Sequence, residues 1–217
     1  MADAKQQILS TLEQALKHSV PVPFPEVQQV PASSVLPTLQ QQPEQDLAVL
    51  FASQFTAMQG QFSFCASWQE CRQQLHILGQ HKGIGRWHCA DDALVQRLTQ
   101  QGHWPGGWHP TVPDSHASIT GAEYLIARTG SLLLSSTASA GRVPSVYSPI
   151  HICIARTSQL VYDIADALLL MQERYGKQLP SQISLATGPS RTADIEKTLV
   201  TGVHGPKEVF CFLIDEA

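Results

Sequence analysis

Charged residues are scarce in this sequence, and no run of Lys or Arg occurs. With 15% Asp, Glu, Lys and Arg and a formal net charge of −4 at pH 7, it lacks the basic surface that nucleic-acid binding requires. No segment reaches the uninterrupted apolar length of a membrane-spanning helix, and the first 18 residues lack the charged tip and apolar run of a signal peptide. We therefore expect a cytoplasmic protein with no nucleic-acid partner and no membrane span.

Sequence motifs for common cofactors are also missing. Neither Gly-x-Gly-x-x-Gly nor Gly-x-x-x-x-Gly-Lys-Ser/Thr occurs, which argues against a dinucleotide site and a P-loop. An iron–sulfur cluster needs several cysteines at short spacing, and the five cysteines here contain no close pair. The sequence therefore predicts reduced, mostly buried thiols and no bound cofactor. These cysteines are Cys65, Cys71, Cys89, Cys153 and Cys211.

Histidines gather in and beside the turn-rich segment 102–113. His103, His109 and His116 lie within fourteen residues and, with Asp114, are chemically suited to zinc. Their spacing matches no common zinc motif, so we favour turn histidines packed against neighbouring tryptophans and predict no metal site. Cys89 follows His88, a pair that an activated thiol would use, but its position after an apolar strand favours ordinary packing.

Hydrophobic periodicity divides the chain into two parts. Residues 3–17 have the apolar spacing of an amphipathic helix, and residues 20–43 carry six prolines, which interrupt both helix and sheet. We therefore predict an N-terminal helix and Pro-rich linker over residues 1–43 and an α/β domain over residues 44–217. The apolar face of the first helix docks either on that domain or on a partner.

Helical and strand-like segments alternate from residue 45 onward. Short apolar runs between helices indicate a mostly parallel sheet covered on both faces. The predicted helices are 45–59, 68–78, 91–100, 160–175 and 193–200. The predicted strands are 61–65, 84–88, 123–127, 131–135, 151–155, 183–186 and 209–214.

The strongest candidate for a functional site is the loop after the predicted strand 183–186. Gly188 and Pro189 end that strand, and Ser190 or Thr192 is placed to cap the predicted helix 193–200. A helix N-terminus attracts anions, and an adjacent arginine, here Arg191, adds a charged fork for a carboxylate or phosphate. Capping alone also explains the Ser and Thr.

Further loops are expected at the carboxyl ends of strands, where ligands bind in open α/β sheets. His204 between two glycines is either an acid, base or anion contact or part of a tight turn, and Arg142 either closes over an anion or is solvated. The candidate ligand-binding residues are Thr187, Gly188, Ser190, Arg191, Thr192, Thr129, Gly130, Arg142, His204 and Lys207. We expect the loops at Thr129-Gly130, Thr187-Gly188 and 135–144 to converge on one pocket.

Several blocks in residues 114–215 resemble the LUD (lactate utilization) domain, in particular the lactate utilization protein C (LutC/YkgG-like) branch. They include Ile119-Thr120-Gly121-Ala122-Glu123-Tyr124, Thr129-Gly130-Ser131, Gly141-Arg142, Pro149-Ile150-His151-Ile152 and Ala186-Thr187-Gly188-Pro189-Ser190-Arg191. The resemblance implies a three-layer α/β/α fold of the NagB/RpiA/CoA-transferase-like type with a mixed sheet. Where relatives commonly have Glu before Thr-Gly-Thr, this chain has Arg128, which removes a carboxylate and adds a cation.

The resemblance also implies a function. It points to an accessory subunit of a system that oxidises L-lactate to pyruvate, acting with iron–sulfur and redox partner subunits. The alternative is a small-molecule enzyme or sensor that binds a phosphorylated or carboxylate ligand at the loop 187–192. A docking helix on a long tether favours the first interpretation, whereas a bound anion at Arg191 would favour the second.

Overall fold

The structure is a computed structural model that describes residues 2–16, 46–100, 104–138, 141–193, 199–202 and 204–216. The chain separates into two compact units, residues 1–42 and 43–217. In the first unit the predicted amphipathic helix is present as α1 (Ala2–Leu16). The second unit contains all other helices and strands described below.

The second unit alternates helices and strands, as predicted. Its helices are α2 (Leu47–Ala57), α3 (Trp68–Lys82), α4 (Asp92–Thr99), α5 (Pro144–Tyr147) and α6 (Ile164–Tyr175). Its strands are β1 (Gln61–Cys65), β2 (Arg86–His88), β3 (Gly107–Trp108), β4 (Ala117–Thr120), β5 (Tyr124–Ile126), β6 (Ser131–Ser135), β7 (Ile150–Arg156), β8 (Leu160–Val161), β9 (Ile183–Ala186), β10 (Arg191–Ala193), β11 (Leu199–Thr201) and β12 (Glu208–Ile214). None of the described helices is long and apolar enough to cross a membrane.

Short polar side chains set where the longer helices begin. Asp46, Ser67, Asp91 and Asp163 precede α2, α3, α4 and α6, and each accepts a hydrogen bond from a backbone N–H of the first turn. Gly83 ends α3 in the left-handed conformation, with φ of 65°. The helix boundaries therefore follow from local capping chemistry.

Six strands form a parallel sheet in the order β1-β12-β7-β4-β2-β3. One face of this sheet packs on α3 and α4 through a cluster that includes Leu75, Trp87 and Leu98. The other face packs on α2 through Phe51 and Phe55. With helices on both faces, the sheet forms the predicted three-layer α/β/α arrangement.

A second sheet of four strands, β8-β5-β6-β9, contains both parallel and antiparallel pairs. Leu125, Leu132 and Leu134 share a core cluster with Cys153 and Leu213 of the parallel sheet. The opposite side of the small sheet packs on α6 in a separate cluster. The mixed strand directions expected from the resemblance are therefore found in this second sheet.

The predicted helix over residues 193–200 is wrong at both of its described ends, 193 and 199–200. Arg191–Ala193 pairs antiparallel with Leu199–Thr201 as β10 and β11, and residues 194–198 lie outside the described part of the chain. The β-branched side chains of Thr192, Val200 and Thr201 favour strands, and pairing between the two segments outweighs the local capping signals. A helix N-terminus therefore does not follow Ser190.

The strand order reverses direction once, between two neighbouring strands. From β2 the chain continues to β3 on one side, whereas from β4 it continues to β7 on the other side. Because connections leave these adjacent parallel strands in opposite directions, a crevice opens outside their carboxyl ends. Ligands of open α/β sheets bind at such a switch point, so a functional site is expected at this edge of the sheet.

Candidate functional site

A cavity of about 240 Å³ lies at the carboxyl ends of these strands. We call it the switch-point cavity. Its lining residues are Trp68, Asp91, Ala93, Leu94, Arg97, Gly121, Ala122, Ala138, Ile154, Ala155, Arg156 and Gln159. None of the ten ligand-binding residues predicted from the sequence is among them.

The polar residues that line the switch-point cavity lie at the end of a strand, just after it, or on the helix that follows. Asp91 follows β2 and caps α4, with Oδ1 2.9 Å from the backbone N of Ala93. Arg97 lies on α4, Trp68 begins α3, and Arg156 ends β7. The parallel sheet thus gathers residues that are far apart in sequence.

Gln159 holds together the wall that contains Arg156. Its Nε2 donates to the carbonyl oxygen of Ala122, and its Oε1 accepts the backbone N–H of Arg156 at 2.8 Å. These two bonds connect the end of β7 to the segment after β4. The side chain that joins these two segments therefore also lines the cavity.

Two arginines and an indole N–H surround one carboxylate oxygen at this site. Oε2 of Glu216 lies 3.3 Å from Trp68 Nε1, 3.6 Å from Arg97 Nη1 and 3.9 Å from Arg156 Nε. The Arg97 guanidinium also lies 5.0 Å from the centre of a Trp68 ring, within cation–π range. Such a donor set binds oxyanions, because guanidinium groups match carboxylates in charge and geometry.

On the strand side, most residues that line the cavity have small apolar side chains or none. Gly121, Ala122, Ala138 and Ala155 have little or no side chain, and Ile154 is the one branched residue beside them on the strand side. Together with the arginines, this surface suits a short organic acid whose carboxylate meets the cations and whose alkyl group meets the alanines.

A buried carboxylate supports one wall of the cavity from behind. Glu123 is 1% exposed and accepts hydrogen bonds from Arg174 Nη1 at 3.0 Å, Tyr175 Oη at 2.7 Å and Ser135 Oγ. Ser135 Oγ in turn accepts the backbone N–H of Ala138 at 2.9 Å, and Ala138 lines the cavity. Burial, and next the hydrogen bond to Glu123, raise the pKa of Tyr175.

The predicted hydroxyl and glycine residues gather elsewhere, against the end of α2. Ser131 Oγ shares hydrogen bonds with Thr129 Oγ1 at 2.8 Å and Thr187 Oγ1 at 2.7 Å. Gly130 and Gly188 both have positive φ angles, 61° and 72°, and lie so close to α2 that a Cβ atom would overlap its backbone. Close packing therefore accounts for both glycines.

Arg191 also has a partner at the end of α2. Its Nη2 donates to the carbonyl oxygen of Met58, the residue that ends this helix, at 3.0 Å. A cation at a helix C-terminus interacts favourably with the helix dipole. The side chain of Thr192 lies outside the described part, and the backbone N–H of Ser190 donates to the Pro206 oxygen.

The segment that contains His204 lies beside Ser190, because the Ser190 N–H donates to the Pro206 oxygen and the Ser190 oxygen accepts the Gly202 N–H, both at 2.9 Å. His204 lines a cavity of about 290 Å³ with Val146, Tyr147, Gly202 and Gly205. This cavity involves α5 and the segment before β12, and its lining shares no residue with the switch-point cavity. Arg142 and Lys207 are exposed. The structure thus brings Thr129 and Thr187 together and Ser190 beside the segment of His204, but His204 lines a cavity other than the switch-point cavity.

Arg128, the cation that replaces the usual glutamate of the resembling family, is paired. Its Nε contacts Asp163 Oδ2, and Asp163 also caps α6 through the backbone N–H of Ala165. Burial alone would raise the pKa of Asp163, but the Ala165 N–H and the Arg128 guanidinium outweigh it and lower this pKa. The added cation therefore serves an internal ion pair.

The other reactive side chains named above have structural partners. Burial raises the pKa of Cys89 to about 11, so the thiol is not activated. His116 Nδ1 accepts the backbone N–H of Gly85 at 3.2 Å, and His109 Nδ1 lies 3.0 Å from the Thr111 oxygen. Within the described residues no three His, Cys, Asp or Glu side chains form a metal-binding group; His103 is outside them.

Comparisons with known proteins agree with the sequence resemblance. Residues 110–214 match the family model of the LUD domain. The chain is 36% identical over 98 residues to the uncharacterized protein NMB1437 of Neisseria meningitidis and 38% identical over 100 residues to lactate utilization protein C of Halalkalibacterium halodurans. It is 35% identical over 97 residues to the uncharacterized protein YkgG of Escherichia coli.

These alignments cover 44–45% of this chain and 42–43% of the length of the three relatives. The fold as a whole is similar to the crystal structure of a DUF162 family protein from Deinococcus radiodurans, with a TM-score of 0.56 and 17% identity. That likeness covers 77% of this chain and 96% of the other. The resemblance to the LUD domain and to LutC/YkgG-like proteins is thus confirmed for the C-terminal half, together with the α/β fold.

Proposed function

We propose that the protein acts in lactate utilization and that it binds a small organic anion in the switch-point cavity. The first part is supported by the match of residues 110–214 to the LUD domain and by the likeness of the chain to proteins named lactate utilization protein C. Seven of the twelve residues that line the cavity, including Arg156 and Gln159, fall within that matched region. The strand-side wall of the cavity therefore belongs to the matched region, whereas the donors Trp68 and Arg97 lie outside it.

The observation that carries the binding proposal is the set of donors around Glu216 Oε2. Arg97, Arg156 and the Trp68 N–H all approach one carboxylate oxygen beside a cavity at the sheet's switch point. A volume of about 240 Å³ is below the range of drug-sized pockets, roughly 300–1,000 Å³, and so fits a short hydroxy or keto acid better than a nucleotide.

The proposal includes an accessory role beside iron–sulfur and redox subunits, as the resemblance implies. In that role the protein would bind the small acid or transfer it to the partner subunits, which carry out electron transfer. Its proposed place is the cytoplasm.

Affinity purification from lactate-grown cells tests the accessory role. The tagged wild-type protein is expected to bring down iron–sulfur subunits and lactate-dependent dye reduction. Arg156→Gln is expected to retain the partners but lower dye reduction, while Arg191→Gln, a matched loss of one arginine outside the cavity, leaves both unchanged. Recovery of the wild-type chain alone and without activity would contradict the accessory role.

The cavity also supports a second candidate, an enzyme or sensor that binds the acid without partners. The switch point is where independent α/β enzymes and sensors place their ligands, which favours this alternative. If the purified chain binds a carboxylate but isolates no partner, the second candidate replaces the first.

A further inference from the structure

We propose that the Glu216 side chain holds three donors at the edge of the switch-point cavity, those of Trp68, Arg97 and Arg156, and that the carboxylate of a ligand in the cavity replaces it as their partner. This inference rests on the proposed binding of a small organic anion and names the group that marks its position. In this protein the internal carboxylate acts as a built-in competitor for the ligand.

The geometry of one oxygen atom is the basis for this assignment. A single oxygen of Glu216, Oε2, accepts the Trp68 Nε1–H at 3.3 Å. The same oxygen lies within 4 Å of a nitrogen of Arg97 and of Arg156. All three of these partners line the cavity, whereas Glu216 does not. The donors therefore belong to the cavity, and the carboxylate comes from outside it.

The contacts of Glu216 are weak enough to be exchanged. The arginine side chains are 45% and 51% exposed, and the glutamate side chain is 40% exposed. Ion pairs at 3.6 and 3.9 Å in such exposed positions contribute little, because water screens them. A ligand that brings its own carboxylate and an alkyl group for the alanine wall offers the same donors a better-buried partner.

The backbone of Glu216 stays in place during such an exchange. Its N–H donates to Thr157 Oγ1 at 3.2 Å, and its carbonyl oxygen accepts from the same hydroxyl at 3.1 Å. Thr157 directly follows Arg156. Rotation of the Glu216 side chain alone is therefore sufficient to release the two arginines, without movement of the sheet.

The charge around the cavity explains why the exchange matters. Asp91 and Glu216 together balance the two cations, so an incoming anion meets little net attraction while Glu216 is in place. Asp91 cannot leave, because its Oδ1 caps α4. Displacement of Glu216 exposes the positive charge of Arg97 and Arg156 to the ligand.

The indole N–H of Trp68 provides a direct readout. Protein labelled with ¹⁵N at its tryptophans is titrated with sodium L-lactate at constant ionic strength, and the Trp68 resonance is identified with Trp68→Phe. Glu216→Gln removes the competing charge but keeps a side-chain oxygen. We expect it to bind lactate roughly two- to fivefold more tightly than the wild type.

Glu173→Gln is the matched control, because it removes an exposed carboxylate from α6, away from the cavity lining. It is expected to bind lactate with wild-type affinity. Equal affinity of Glu216→Gln and wild type would overturn the exchange alone and leave carboxylate binding intact. The absence of a saturable shift in every variant would overturn both the exchange and the proposed ligand site.

Discussion

Arg191 and Arg156 are both exposed cations at a strand of this protein, but they have different partners. Arg191 donates to the Met58 carbonyl at the end of α2, so its charge is used to hold β10 against that helix. Arg156 stands at the carboxyl end of β7 beside a cavity and lies 3.9 Å from the exchangeable side chain of Glu216. Of these two arginines, only Arg156 has a partner side chain that a ligand carboxylate could replace.

The glycines of the two regions differ in the same way. Gly188 adopts φ of 72°, and a Cβ atom there would lie 2.1 Å from the Met58 oxygen. Gly121 in the switch-point cavity has no positive φ, and its Cβ would meet only the Ala138 oxygen, at 3.2 Å. The first glycine is required by packing, whereas the second leaves space in a cavity.

The global stability of the protein should depend on pH through a buried histidine that lies outside the lining of the switch-point cavity. Burial lowers the pKa of His151, in β7, to about 4, and Thr120 Oγ1 lies 2.8 Å from its Nε2. Between pH 6.5 and 4 the unfolded chain therefore binds more protons at this site than the folded chain. The unfolding free energy should fall by up to about 3 kcal/mol as pH drops through this window.

Urea denaturation at pH 7, 6, 5 and 4 measures this loss. His151→Gln, which can still hydrogen-bond to Thr120, is expected to flatten the profile between pH 6.5 and 4 whatever its stability at pH 7. The same slope in both proteins would show that His151 is not the source. Binding experiments on the two regions belong at pH 7, where this effect is absent.

The glycines provide the second test. Gly188→Ala should lower the unfolding free energy by about 2 kcal/mol or more, since the positive φ and the overlap with the Met58 oxygen both oppose a side chain. Gly121→Ala should change it by less than about 1 kcal/mol, because the backbone tolerates alanine and Ala138 needs to move only slightly. Thermal and urea denaturation compare the pair.

The same two variants should reverse their order in ligand binding. Gly121→Ala takes up cavity space and is expected to weaken lactate binding, whereas folded Gly188→Ala retains it. If Gly188→Ala lost binding while Gly121→Ala kept it, the assignment of the site to the switch-point cavity would be wrong.

Local sequence signals predicted much of this fold. Strands 61–65, 131–135 and 183–186 have the predicted bounds, because short apolar runs there end at turn-forming residues. The helix predicted over residues 160–175 instead begins at Ile164, after its cap Asp163, because Leu160 and Val161 pair with β5 as β8. The missed strand β4 has the sequence Ala-Ser-Ile-Thr, and half of its side chains are polar.

Those polar side chains of β4 are buried because they have distant partners. Ser118 donates to the Pro144 oxygen, and Thr120 shares a hydrogen bond with His151. Partners so far away in sequence leave no periodic signal. The error at residues 193–200 has the same origin, because pairing of β10 with β11 overrides a plausible capping pattern.

Sequence patterns did not predict the switch-point cavity, because the residues that line it are also far apart in the sequence. Arg97 and Arg156 belong to different α/β units, and only the order of β7, β4 and β2 in the sheet brings their ends to one edge. The rule that ligands bind at carboxyl ends fits several loops of this chain, and only the topology shows which strand ends flank a switch point. The sequence-based role of Arg191 stays a prediction.

Calorimetric titration of L-lactate at pH 7 into wild type, Arg156→Gln and Arg191→Gln shows which of the two arginines belongs to the ligand site. We expect saturable binding to the wild type, at least about tenfold weaker binding to Arg156→Gln because a charge-assisted contact is lost, and unchanged binding to Arg191→Gln. Wild-type affinity in Arg156→Gln combined with lost binding in Arg191→Gln would show that the ligand binds at the loop after β9 and not in the switch-point cavity.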